Sequence, residues 1–224
     1  MSAAHGRLDR RQVLQAAVDL ADREGIDAVS MRRLAGELGV VPMALYKHVA
    51  DKEDLLDGMV DEVIAELDHS PVTAGDADWR TAVRASVLEA RRAVAAHPWL
   101  RSAIESRVRR TPAVLGHMDA ITGQFLAGGL SPDLTHHAMH TLGNRIWGFS
   151  PELFNAAPGR PQRPTRGASP EPANYPAIRV VAAEAQRRRP DATGCDEDFE
   201  FAFALDLVLD AVERLHNAGW ASPA

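Results

Sequence analysis

Three features of the chain predict an all-α protein with an N-terminal helix-turn-helix headpiece and a larger helical-bundle domain. Apolar residues recur at helical spacing from Val13 to Leu215, and no stretch alternates convincingly as a half-buried strand would. Capping residues and helix-ending glycines and prolines fall at the borders of these stripes. Residues 30–52, SMRRLAGELGVVPMALYKHVADK, set two short helices about a tight turn, the arrangement that lays a helix into the major groove of DNA.

Asp9 can cap a first helix whose buried stripe is Val13, Ala16, Ala17, Leu20 and Ala21, and Gly25 followed by Ile26 predicts a Schellman ending. Ser30 offers a capping oxygen to the second helix, and Gly39 marks its end because glycine tolerates positive φ. Pro42 fits the first position of a third helix, where a missing N–H costs nothing. Leu34, Leu38, Val40 and Leu45 supply apolar contacts that lock these two helices together, which leaves Met43, Ala44, Tyr46, Lys47 and His48 for the outer face. Asp51 caps a fourth helix with Glu53 and Asp54 in its first turn, opposite in sign to the helix dipole, and Leu55, Leu56, Met59, Val60, Val63, Ile64 and Leu67 carry its apolar face to about Asp68. The segment SPVTAGD, 70–76, reads as a linker, so the chain divides into residues 1–68 and 69–224.

Beyond the linker, helices are expected over about 77–96, 99–108, 112–128, 132–155, 174–189 and 196–217, punctuated by Pro98, Pro112, Gly128-Gly129, Pro151 and Gly219. Residues 156–176 hold six prolines and few apolar groups and are expected to be a mobile loop. In the last helix Phe199, Phe201, Phe203, Leu205, Leu207, Val208, Leu209, Val212 and Leu215 cover most of the circumference, more than one buried stripe needs. His140–Phe154 shows a similar excess. Such helices need two apolar partners: either the second is another copy of the chain, giving a homodimer, or both helices lie at the centre of a monomer's core.

With 46% hydrophobic residues in 224, the chain can bury a sizeable core. It has no run near the roughly 18 apolar residues of a membrane span, and Met1 to Arg11 has no apolar signal-peptide core, so a cytoplasmic protein is expected. The single Cys195 excludes an internal disulfide. A net charge of −6 is unusual for a nucleic-acid binder, but residues 30–52 carry Arg32, Arg33, Lys47 and Lys52 against Glu37 and Asp51, a local +2. No Ser-His-Asp or Cys-His arrangement, glycine-rich phosphate loop or paired-carboxylate motif can be defended, so no catalytic residue, cofactor or enzyme activity is expected.

Residues 8–68, with REGID, LGV, ALYKHV and KEDLL in order, resemble the headpiece of the tetracycline-repressor (TetR) family of bacterial transcription regulators. His97-Pro98, GGLSPDLTHHAMHTL and the closing FAFALDLVLDAVERL are similar to that family's tetracycline-repressor-type C-terminal domain, so a weaker resemblance covers nearly the whole chain. The resemblance implies a homodimer that reads a palindromic double-stranded operator and lets go when a small effector binds the C-terminal domain. It puts Val41, Pro42, Met43 and Ala44 at the base-reading start of the recognition helix. Tyr46 and His48 fall where the family contacts phosphates, Lys47 belongs to the same face, and Lys52 matches a phosphate-binding lysine. Ser30 matches a capping hydroxyl that often touches the DNA backbone, and Arg32 and Arg33 are candidates for phosphate or base-edge contact. Ala44 replaces the family's common threonine, which shifts readout toward thymine methyls and groove shape. The alternative is a helical small-molecule-binding protein or enzyme that has lost operator binding.

For the effector, Trp99, Arg107, Met118, Phe125, His140, Asn144 and Trp147 offer a mostly apolar wall with a few polar groups. His136, His137 and His140 share a helix, and the pair His136/His140 has ligand spacing, but two histidines do not close a metal site and none is expected.

Overall fold

The computed structural model describes residues 8–67, 78–106, 110–147, 176–188 and 196–223. The expected linker at 70–76, the proline-rich residues 156–175, the extension of the eighth helix to 155, Arg107 and Cys195 lie outside them. Among the described residues there are ten α-helices, no strand, and a three-residue 3-10 turn. The helices are α1 (Arg10–Glu24), α2 (Met31–Glu37), α3 (Pro42–Leu45), α4 (Lys52–Ala65), α5 (Trp79–Ala96), α6 (Leu100–Glu105), α7 (Pro112–Ala127), α8 (Pro132–Trp147), α9 (Pro176–Arg188) and α10 (Glu197–Asn217). Packing divides the chain into two compact units, Met1–Trp147 with Asp206–Ala224, and Gly148–Leu205.

In the first unit α1 begins with a reciprocal capping box: the Asp9 carboxylate accepts from Gln12 N at 2.8 Å, and Gln12 Oε1 accepts from Asp9 N at 3.1 Å. Its stripe of Val13, Leu14, Ala17, Val18, Leu20 and Ala21 is buried, and α1 packs on α4 and α2. The Schellman ending expected at Gly25 does not form. Gly25 has φ 86° but ψ 161°, outside the left-handed helical region, and the chain leaves into the Ile26–Ala28 turn instead. Gly39 does make the motif: at φ 65° it lets Val40 N donate to Ala35 O at 2.9 Å and Gly39 N to Gly36 O at 3.2 Å, which closes α2 and aims the chain at α3.

Leu34 and Leu45 are fully buried between α2 and α3, with Leu38 and Val40 partly buried beside them. The apolar core does not end with α4. Val13, Leu20, Leu45, Leu55, Met59 and Ile64 form one continuous cluster with Trp99, Leu100, Ala103, Ile104 and Val114, because α4 packs against α6 and α7.

Farther along this unit α5 lies against α7, where the Trp79 and Phe125 rings pack with centroids 5.5 Å apart. A buried pair crosses the same contact, Gln124 Nε2 donating to Ser86 Oγ at 2.9 Å. Arg80 pairs with Asp210 and, at 3.0 Å, with Glu213, and Arg84 pairs with Asp206 at 2.7 Å, so α10 is held in register on α5. Ser222 N and Oγ donate to Asp133 at 2.7 and 2.9 Å and tie the C-terminal segment to α8.

In the second unit, α9 exposes Val180 and Val181, and Glu184 pairs with Arg187 and Arg188. α10 belongs to this unit up to Leu205 and to the first from Asp206. Its two apolar stripes are distinct: Phe201, Leu205, Leu209 and Val212 are buried, whereas Phe199, Phe203 and Leu207 are 52%, 53% and 53% exposed. Each stripe repeats every three or four residues, and the two lie on opposite sides of the helix.

Candidate nucleic-acid interface

The turn after Gly39 leaves Val41 and Met43 the most exposed apolar side chains of the headpiece, 68% and 71%, with Pro42 exposed between them. Water is a poor environment for two adjacent large apolar groups, and an edge of this kind fits a surface that carries methyl groups of its own. Tyr46 and Lys47 are also exposed, while Ala44 and His48 are half-buried, so the outer face is narrower than the spacing alone predicts. Regular helix in α3 ends at Leu45, and the chain tightens into a turn in which His48 N and Val49 N both return to Leu45 O, at 2.8 and 3.0 Å.

That turn is held from outside α3. Arg10 Nη1 donates to the His48 carbonyl at 2.6 Å and, with Nη2, grips both oxygens of Asp54 at 3.0 and 2.7 Å. Asp54 also accepts from Ala50 N at 2.7 Å. Its carboxyl is held below the usual aspartate range, first by the Arg10 hydrogen bond and then by that of Ala50, against a smaller desolvation cost. Arg10 and Asp54 thus fix residues 48–51, which connect Tyr46 to Lys52. Neither was a site candidate on sequence, since they lie 44 positions apart.

Lys52 is the exposed first residue of α4, capped by Asp51, whose Oδ1 accepts from Asp54 N at 2.8 Å. A cation there opposes the helix dipole and works against helix stability. The same cation beside a helix N-terminus suits an anion such as phosphate. Ser30 caps α2 by accepting from Arg33 N at 3.2 Å. Arg32 is exposed. Arg33 is engaged within the fold: Nη2 meets Glu24 at 2.6 Å and Glu37 at 3.0 Å, which raises the guanidinium pKa, the Glu24 hydrogen bond first among the causes. Glu37 also pairs with Arg23 at 3.2 Å, so this carboxylate is neutralised from two sides and the local positive balance survives.

The effector candidates do not gather into one lining among the described residues. Trp99 is buried in the core shared with the headpiece, and Phe125 is buried against Trp79. Met118 and His140 are exposed. Arg107 lies outside the described residues, and of Asn144 and Trp147 only the helical backbone of α8 is described. His136 stands 4.6 Å from His140 and 5.2 Å from His137, ring to ring, all three exposed. Trp99 makes a second, unexpected connection: its Nε1 donates to Asp22 of α1 at 2.7 Å, and His97 Nδ1 lies 2.9 Å from both Asp22 oxygens.

A helix-turn-helix edge pinned on an all-helical body defines a DNA-binding regulator, and comparison with known proteins agrees. Residues 13–59 match the bacterial regulatory proteins of the tetR family, and residues 70–215 match the tetracyclin repressor-like C-terminal domain. The HTH-type transcriptional repressor DrrR1 of Streptomyces coeruleorubidus is 33% identical over 214 residues, which cover 93% of this chain and 77% of that protein. Among solved structures, a possible TetR family transcriptional regulator from Streptomyces coelicolor A3(2) superposes with TM-score 0.73 at 25% identity over 92% of this chain and all of the other. The S. coelicolor TetR family protein ActR, in complex with actinorhodin, shares the fold with TM-score 0.68 at 24% identity, over 94% of this chain and 97% of that one. The chain belongs to the TetR family of transcription regulators. It is a DNA-binding repressor of that family and not an enzyme, and no helix among the described residues is long and apolar enough to cross a membrane.

Proposed function

We propose that the chain acts in the cytoplasm as a homodimer on a palindromic double-stranded operator, read through residues 1–68 and released when a small effector binds within residues 69–224. The observation that carries the DNA reading is the exposed Val41-Pro42-Met43 edge on a turn pinned by Arg10 and Asp54. The outer stripe of α10 supports the homodimer, because it is apolar and exposed on one chain. Two-fold symmetry then sets half-sites roughly 34 Å apart, about one helical turn of DNA. ActR in complex with actinorhodin supports the effector step by analogy of fold. Trp99, Arg107, Met118, Phe125, His140, Asn144 and Trp147 remain the proposed effector set.

In this reading Tyr46, Lys47, His48, Lys52, Ser30 and Arg32 position the protein on phosphates, and Arg33 reaches DNA only by exchanging its carboxylate partners for a phosphate. Val41, Pro42, Met43 and Ala44 meet base edges. Retention of the chain's own upstream DNA in a salt-sensitive, sequence-selective manner is the test, and its absence from purified protein overturns the reading.

Replacing Lys52 by Ala is expected to weaken binding equally for all sequences and to lower the slope of log affinity against log salt by about one unit. Tyr46→Ala should weaken binding equally for all sequences and leave that slope unchanged. A change of preference at one base pair in either variant would remove that residue from the phosphate group. Met43→Ala should do the reverse, redistributing preference among half-site bases in a selection from randomised sites at constant salt slope. An unaltered preference would take Met43 off the reading edge.

A further inference from the structure

The turn joining α5 to α6 is fastened to α1 by three side chains that the reading edge does not include. Asp22, in the last turn of α1, accepts from Trp99 Nε1 at 2.7 Å, and His97 Nδ1 stands 2.9 Å from both of its oxygens. The His97 and Trp99 rings meet edge to face with centroids 6.0 Å apart. Trp99 is only 4% exposed, and a buried indole N–H needs an acceptor. Asp22 supplies it from the headpiece. Since a carboxylate only accepts, His97 Nδ1 carries the second hydrogen, and both bonds are strengthened by the charge of their common acceptor.

α4 adds apolar contact between headpiece and body where it packs on α6 and α7. Apolar contact is non-directional: it holds two elements together and sets their distance, but it tolerates rotation of one on the other. Two hydrogen bonds converging on one carboxylate are directional and resist that rotation. Asp22 has no role in gripping DNA itself, since a carboxylate offers nothing to a phosphate.

We propose that Asp22 is a positioning residue that fixes the angle of the headpiece on the body, and through it the spacing between half-sites that the repressor accepts. The proposal rests on the homodimeric operator reading above. In a dimer each headpiece is carried by its own body, so angular slack at this joint moves the two reading edges along the DNA axis relative to each other. One base pair of spacing is about 3.4 Å of rise and about 35° of twist, and a loosened joint admits a neighbouring spacing by letting each headpiece take up part of both.

The test uses the full chain and a DNA library in which both half-sites are fixed at the sequence the wild type selects while the spacer between them varies. Wild type should enrich one spacing. Asp22→Ala should accept the adjacent spacings as well, with the ratio of best to next-best spacing reduced about tenfold and the preferred half-site bases unchanged. Trp99→Phe, which removes the N–H donor together with the five-membered part of the indole, should broaden spacing in the same direction, and it decides the matter if Asp22→Ala does not fold. Asp22→Asn retains an acceptor for Trp99 and should stay near wild type. The double variant should be no broader than the wider single one, because both changes remove the same bond. Unchanged spacing preference in folded Asp22→Ala and Trp99→Phe would overturn the proposal while leaving operator binding intact. Altered half-site bases would overturn it too, by making Asp22 part of the reading edge. A wild type that selects no DNA would remove the operator reading and this proposal with it.

Discussion

Phe203→Glu is expected to leave the chain folded, convert it from dimer to monomer and weaken operator binding by about two orders of magnitude. Phe199, Phe203 and Leu207 line one exposed side of α10, and the first two rings stack with centroids 6.3 Å apart. Covering the exposed half of such side chains is worth about 1 kcal/mol each. Two-fold symmetry counts every contact twice. A carboxylate placed in that seam loses hydration without gaining a partner, which costs about 3 kcal/mol or more per copy. Together these raise the dimer dissociation constant by at least about a thousandfold. The variant's melting temperature, extrapolated to the monomer, should hardly move, since position 203 is exposed on the single chain. Leu205→Glu, on the buried stripe two residues away, should unfold the protein instead. Sedimentation equilibrium with circular dichroism separates the two outcomes, and a Phe203→Glu protein that remains dimeric would move the interface away from this face of α10.

Asp54→Ala is the second large effect, and it acts on stability and DNA binding together. The substitution strips Arg10 of both its carboxylate bonds and leaves Ala50 N without its acceptor. Charge-assisted bonds of this kind contribute about 1.5 to 3 kcal/mol. The Arg10 and Asp54 side chains are 45% and 35% exposed, so solvent screening reduces the expected loss to about 1 to 2 kcal/mol, or roughly 2 to 8 °C in melting temperature for a chain of this size. The pH dependence follows from the depressed carboxyl of Asp54. Its contribution is complete above the unfolded aspartate value of about 4 and disappears as pH falls through the lower folded value. Wild type and variant should therefore differ fully at neutral pH and converge in acid. Operator affinity at neutral pH should drop about tenfold, because the turn that carries Tyr46, His48 and Lys52 loses its external hold. A variant that binds DNA normally would show that the turn keeps its shape without Arg10 and Asp54.

The helices were legible because their ends are chemically marked. Asp9, Ser30, Asp51 and Thr111 all accept from a backbone N–H at a helix start, and Pro42, Pro112 and Pro132 occupy first positions. These signals act over three or four residues and can be read from any sequence window. Gly25 shows where local reading stops: positive φ was predictable from the glycine, but ψ, which separates a Schellman ending from the extended exit found here, is not carried by residue type. The outward place of Met43 followed from the spacing after Gly39 and Pro42, whereas Val41 and Pro42 joined the edge only through the family resemblance. What holds that edge followed from neither, because Arg10 and Asp54 are separated by 44 positions and Asp22 and Trp99 by 77, and on sequence each looks like an ordinary charge or a core aromatic. Trp99 illustrates the same limit. An indole among apolar residues suggests a ligand wall as readily as a core, and only the neighbours show it buried with α1 and α4 while its N–H is committed to Asp22.

The unbroken apolar cluster from α1 through α4 into α6 and α7 bears on how such repressors can diversify. A reading head that ended in its own closed core could be exchanged between proteins as a cassette, keeping its operator while acquiring a new sensor. Here Val13, Met59 and Ile64 share one interior with Trp99, Leu100 and Ile104, so a foreign head joined near residue 68 would meet a mismatched surface and leave voids on both sides of the joint. New operator preferences in this lineage are more accessible through single changes along Val41, Pro42, Met43 and Ala44, which touch no shared interior, than through transplantation of the head as a whole.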